Sequence, residues 1–135
     1  MMERTLAIIK PDAMKAGSAD EIMNLIEDKG FTILEEKETT LSRSQAESFY
    51  TEHKERTFFK DLVNFMISGP VTLLVLEKDN AVKDWRDVMG ATDPLEAAEG
   101  TVRKLFGASK GENATHGSDS LESAKREVAF FFPRL

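Results

Sequence analysis

Val71-Thr72-Leu73-Leu74-Val75-Leu76 is the stretch on which the fold turns. Every residue in it is leucine or β-branched, and Ser68-Gly69-Pro70 breaks the chain just before it, so it reads as a strand. Upstream, Phe58, Leu62, Phe65 and Met66 recur at i, i+4, i+7 and i+8, the stripe of a helix packed on a core. Before that stripe, Ser42 and Gln45 form a capping-box pair that opens another helix, with Phe49 and Tyr50 on it. Residues 31–36 read as a strand. Ile22, Leu25 and Ile26 mark a helix that opens at Ser18, with Glu21 completing a second capping-box pair, and stops at Gly30. Thr5-Leu6-Ala7-Ile8-Ile9, ended by Pro11, reads as a buried strand.

Downstream, residues 80–88 read as a helix carrying Trp85 and Arg86. The character then changes. Residues 90–119 hold five of the eight glycines and only scattered apolar side chains. They read as a long irregular segment with short helices near 94–98 and 101–106. Long loops in compact chains commonly carry function. Residues 120–127 read as a helix and 128–132 as a final apolar strand. This order suits a split βαβ-βαβ layout of the ferredoxin type, an antiparallel sheet with helices on one face. It also suits a doubly wound parallel sheet.

The chain has 135 residues, 41% of them hydrophobic and 31% charged, the composition and length of one globular domain, residues 1–135. A chain of this size buries roughly two-thirds of its unfolded surface. It holds no cysteine, which excludes disulfides and thiolate metal sites. Met1-Met2-Glu3-Arg4-Thr5-Leu6-Ala7-Ile8-Ile9-Lys10 does not read as a signal peptide, because Lys10 interrupts a short apolar run. No stretch approaches the roughly 20 apolar residues of a spanning helix, so the expected location is cytoplasmic. A net charge of −6 argues against a general affinity for nucleic acid or anionic membrane. A small phosphate site needs only a few inward cations and is compatible with that sum.

No G-x-x-x-x-G-K-[ST] motif is present, and Gly107-Ala108-Ser109-Lys110-Gly111 is out of that register. No G-x-G-x-x-G follows a strand. Of the two histidines, His53 lies in Glu52-His53-Lys54-Glu55-Arg56 and reads as a solvated side chain. His116 lies in Asn113-Ala114-Thr115-His116-Gly117-Ser118-Asp119. There Gly117 allows close backbone approach, and small polar neighbours leave the imidazole room.

Residues 113–120 resemble the histidine signature of nucleoside diphosphate kinases, N-x-x-H-G-S-D-S. Residues 3–12 resemble the family's opening strand. Phe58-Phe59, Ser68-Gly69-Pro70 and Met89-Gly90-Ala91-Thr92-Asp93-Pro94 fall where the family has similar segments. The resemblance covers nearly the whole chain. The expected fold is α+β, a ferredoxin-like βαββαβ with a four-stranded antiparallel sheet, helices on one face and a long loop before the histidine.

The resemblance implies an enzyme that moves the γ-phosphate of a nucleoside triphosphate, ATP included, to a nucleoside diphosphate through a phosphohistidine, with ping-pong kinetics. It implies that His116 takes the phosphate on Nδ1, that Glu127 accepts from the other ring nitrogen, and that Ser118 supports Glu127. A carboxylate on one nitrogen fixes the tautomer that leaves the other nucleophilic. Lys10, Arg86, Thr92, Arg103 and Asn113 match the positions that hold phosphates and sugar, Tyr50 packs beside the histidine, and Phe58 stacks on the base. Stacking is indifferent to base identity, so broad base tolerance follows. Each has a plainer reading: scattered surface cations, a helix-end Glu127, a Phe58 that belongs to the core stripe. The resemblance also implies Mg²⁺ carried in with the nucleotide and no metal site of the protein's own. It implies assembly as a homo-oligomer (tetramer, hexamer or dimer). Asp20, Glu99, Lys104, Leu105 and Lys110 depart from the common family pattern. Two other classes compete: a non-enzymatic nucleotide-binding protein and a nucleic-acid-binding module.

Overall fold

The computed structural model describes residues 2–135. Strand β1 (Met2–Ile9) lies at the centre of the sheet, antiparallel to β3 (Val71–Asp79) on one side and to β4 (Thr115–Gly117) on the other. Strand β2 (Thr32–Thr39) forms the outer edge, antiparallel to β3 with a register shift between Ile33 and Glu35. The order β2-β3-β1-β4 with every pair antiparallel is the ferredoxin-like arrangement and excludes the doubly wound parallel sheet.

Alternate residues of the two central strands feed two separate cores. Ala7, Ile9, Leu74 and Leu76 point to one face, against Ile22 and Ile26 of α2 (Ala19–Asp28) and Ala81, Trp85 and Met89 of α5 (Ala81–Met89). Leu6, Ile8, Leu73 and Val75 point to the other, against Phe49 of α3 (Arg43–Phe49), Met66 of α4 (Phe59–Met66) and Val128 of α7 (Leu121–Phe131). A strand buried on both faces must be apolar throughout, which is why residues 71–76 show no polar alternation beyond Thr72. The expected helices on one face hold for the crossover helix α2 and for α5; α3, α4 and α7 cover the opposite face.

Several local readings need correcting. The final apolar run is the last turn of α7, not a strand. Ala124, Val128 and Phe131 meet the core side at helical spacing, which a period of two would not achieve. The fourth strand is β4, inside the segment read as irregular; three residues are too few for a periodicity to register. A short helix α1 (Pro11–Lys15) follows β1, started by proline in the first turn. Residues 94–98 are turns, whereas α6 (Val102–Phe106) forms where a short helix was read and is capped by Thr101. The Ser42–Gln45 capping box is formed in both directions. That at Ser18 is not: its side chain makes no cap bond.

Candidate active site

The pairing of β4 with β1 sets His116 opposite Ile8, and α7 brings Glu127 to the imidazole. His116 Nε2 and Glu127 Oε1 are 2.8 Å apart. The Ser118 hydroxyl donates to the same Oε1 at 2.9 Å and itself accepts from the Leu6 backbone N–H at 3.3 Å. An ionised carboxylate only accepts, so Nε2 carries the proton and Nδ1 keeps its lone pair. Among the described residues, Nδ1 has no hydrogen-bond partner. Glu127 and Ser118 are buried.

Packing fixes the ring. Phe49 meets it edge-on with centroids 5.3 Å apart, and Tyr50 at 6.2 Å. The Trp85 indole N–H donates to the His116 carbonyl at 3.2 Å. A Cβ on Gly117 would lie 2.5 Å from Trp85 Cδ1, so the residue after the histidine has to be glycine for the indole to reach. The Tyr50 hydroxyl is buried without a partner among the described residues. Burial first, and the charge of Glu127 second, push its ionisation well above the usual phenol range, so it remains a neutral donor.

A second group of side chains is tied to this one through the backbone before the histidine. The Lys10 N–H donates to the Ala114 carbonyl at 2.8 Å, and the Ala114 N–H donates to Asp12 Oδ2 at 3.0 Å. Ala114 is held at φ +76°. The Lys10 ammonium donates to Asn113 Oδ1 at 2.9 Å, and the Asn113 amide donates to the Thr92 carbonyl at 3.0 Å. Burial lowers Lys10 to about 8, with the Arg103 charge adding to the effect and Asp12 opposing it. Arg103 spans the Gly90 and Thr115 carbonyls at 3.0 and 3.1 Å. Burial lowers its pKa as well, and Arg86 adds to this. Arg86 is exposed and donates to the Asp119 carbonyl at 3.3 Å.

Two clefts open beside these groups. One, of about 570 Å³, is lined by Lys10, Phe58, Leu62, Phe65, Thr92 and Lys110. The other, of about 550 Å³, is lined by Arg86, Thr92, Arg103 and Asp119 among others. Thr92 borders both, and His116 borders neither. Phe58 is 47% exposed at the cap of α4, so it is not part of the core that its spacing suggested. His53 is half-buried with its ring 5.6 Å from Phe58, rather than solvated. The expected residues thus form three linked sets: His116, Glu127, Ser118 and Tyr50; Lys10, Asn113, Thr92 and Phe58; Arg86 and Arg103. The sequence reading gave Asp12, Phe49 and Trp85 no part in the site. The lone tryptophan was the one available signal.

A half-buried imidazole aimed by a carboxylate, beside cations and an apolar slot, suits phosphoryl transfer through histidine. Residues 3–135 match the family model described as nucleoside diphosphate kinase. The chain belongs to the nucleoside diphosphate kinase family. A Helicobacter hepaticus nucleoside diphosphate kinase is 57% identical over 131 residues, 97% of this chain and 96% of its own. One from Myxococcus xanthus is 56% identical over 131 residues, 97% of this chain and 90% of its own. The Aquifex aeolicus nucleoside diphosphate kinase structure superposes with a TM-score of 0.96 at 45% identity, covering 98% of this chain and 96% of that one. The Halobacterium salinarum structure, in complex with CDP, gives 0.94 at 38% identity, covering 98% and 88%. The family's activity, phosphotransfer from nucleoside triphosphates to nucleoside diphosphates, is this chain's activity.

Proposed function

We propose that this transfer runs by a ping-pong route through His116. Nδ1 attacks the γ-phosphorus of a nucleoside triphosphate, the bond to the β-phosphate oxygen breaks, and the diphosphate leaves. A second diphosphate then takes the group back by the reverse displacement. The observation that carries this reading is the 2.8 Å contact of Nε2 with Glu127, which leaves Nδ1 as the open, nucleophilic nitrogen. Glu127 also stabilises the positive charge that the imidazole gains on phosphorylation, and Ser118 holds Glu127 in place. Tyr50 presents a neutral phenol beside the ring.

Substrate lies across the two clefts. The base stacks on exposed Phe58, the sugar meets Lys10 and Asn113, and the phosphates pass Thr92 toward Arg86 and Arg103. Positioning and fixed positive charge supply most of the acceleration that such a loose transition state needs. The complex of the Halobacterium salinarum relative with CDP supports a diphosphate acceptor here. Among the described residues no three His, Asp or Glu side chains cluster to hold an ion. A Mg²⁺ ion carried in with the nucleotide would add positive charge at the phosphates beside Arg86 and Arg103. We take the chain to act as one domain over residues 1–135, in the cytoplasm, within a homo-oligomer. No helix among the described residues is long and apolar enough to cross a membrane.

The test is to mix the protein with γ-labelled ATP and Mg²⁺ and follow the label. Wild type retains an acid-labile, base-stable phosphate and passes it to GDP; His116→Ala retains none and still binds ATP. Label that persists in His116→Ala refutes the assignment.

A further inference from the structure

We propose that Arg126 is a positioning residue for phosphoryl transfer, holding the Glu127 carboxylate square to His116 Nε2; this rests on the reading of His116 as the phosphorylated group. Neighbouring residues on a helix do not ordinarily face each other. Arg126 is the residue just before Glu127, yet its Nη2 lies 3.7 Å from Glu127 Oε2. Two contacts turn it that way. Its Nη2 also lies 3.6 Å from Glu52 Oε1, on the turn Thr51–His53 that follows Tyr50. Its guanidinium carbon sits 6.0 Å from the centroid of Phe49, the same ring that meets His116 edge-on. Arg126 therefore touches two of the groups that touch the imidazole.

The carboxylate has a reason to need such a hold. Oε1 serves both His116 and Ser118, at 2.8 and 2.9 Å. The last torsion of a glutamate is soft and roughly two-fold, so with both of those bonds on one oxygen a contact on Oε2 narrows the remaining swing of the carboxylate. Arg126 marks Oε2 as the oxygen turned away from the ring. One nitrogen, Nη2, lies near both carboxylates, and the planar guanidinium is set there beside the Phe49 ring; a lysine brings the charge without the plane. The Arg126 side chain is 41% exposed, so the effect belongs to the scale of a half-exposed ion pair.

Three variants test this: Arg126→Met, Arg126→Lys and Glu52→Gln. Each is measured for single-turnover labelling by γ-labelled ATP, for ATP dissociation constant, for melting, and for the ¹⁵N signal of the His116 ring. Arg126→Met slows labelling at saturating ATP about fivefold. It leaves ATP affinity nearly unchanged and alters the Nε2–H signal. Arg126→Lys recovers part of the rate, and Glu52→Gln loses less than Arg126→Met. A wild-type rate and ring signal in Arg126→Met overturn the proposal, as does a loss carried wholly by ATP affinity. If Arg126→Met does not fold, wild-type rates in both other variants overturn it. If the wild type itself takes no label, the His116 reading fails, and the ring signal across the variants still decides whether Arg126 positions Glu127.

Discussion

The His116 pocket and the rim of the two clefts are built on opposite plans. In the pocket, Ser118, Glu127 and the imidazole form a closed chain of hydrogen bonds that runs back to the Leu6 backbone, with Trp85 and Phe49 packed against it. Along the rim, Phe58, Arg86, Thr92 and Lys110 are exposed, and the loop around Gly111 has open space where a side chain would go. Under the proposed route the difference follows from the work each would do. A nucleophile gains from a geometry set before substrate arrives, because no reorganisation is then needed at the moment of transfer. A surface that must admit any base and release it again gains from contacts made through ring faces and long side chains.

Four perturbations break or sharpen this contrast. Glu127→Ala is expected to slow phosphorylation by roughly 10²-fold, since wrong-tautomer and lost-orientation effects reach or exceed that size. ATP affinity stays close to wild type. Single-turnover labelling together with a binding titration separates the two, and a large rise in dissociation constant places Glu127 on the rim instead.

Gly117→Ala should cost about 1–3 kcal/mol of folding stability, because the new methyl must displace Trp85 or Met89. Gly111→Ala, with nothing within 4 Å of its Cβ position, should leave the stability nearly unchanged. Denaturant titration of the pair compares pocket with rim directly, and equal losses would erase the distinction.

Removing the stacking face by Phe58→Ala is expected to raise KM about tenfold for every base at constant kcat, the scale of one stacked base. Selectivity for a single base in the wild type would show that stacking is not what holds it.

The smallest effect concerns Lys10, at the junction of the two regions. Its pKa is lowered to about 8, chiefly by burial, so the ammonium loses its proton as pH rises through that value. Its charge therefore aids phosphate binding below about pH 8 and fades above it. ATP affinity should weaken a few-fold between about pH 7.5 and 9.5, because bound phosphate holds the proton on and moderates the loss. Lys10→Gln should flatten that portion of the profile. The sign for stability is the reverse: between the folded value and the ordinary lysine value the unfolded chain binds more protons, so this group adds stability as pH rises there.

Much of the pocket was legible residue by residue. His116 and Ser118 lie in the signature that residues 113–120 resemble, Glu127 was implied by the resemblance alone, and the 2.8 and 2.9 Å contacts bring the three together. What misled was periodicity at its limits. Residues 128–132 are apolar enough for a strand, but residues 128–131 continue α7, and the helix brings Phe131 against Phe49. Strand β4 is three residues long, shorter than any period can declare. Phe58 fits the spacing of the core stripe and yet stands at the cap of α4, where the chain turns it toward the cleft.

By itself the sequence determined the types of the longer elements and the Ser42 capping box; the residues proposed as nucleophile, carboxylate and cations came from the resemblance to the family. Element type and cap are local properties, written in the spacing and kind of neighbouring residues. Only the tertiary structure decided that both sheet faces are covered, that Trp85 requires glycine at position 117, and that Lys10, buried between Arg103 and Asp12, sits near the pH at which its charge is lost. Each of these depends on groups far apart along the chain, and burial and Coulomb forces act on distance in space rather than on distance in sequence.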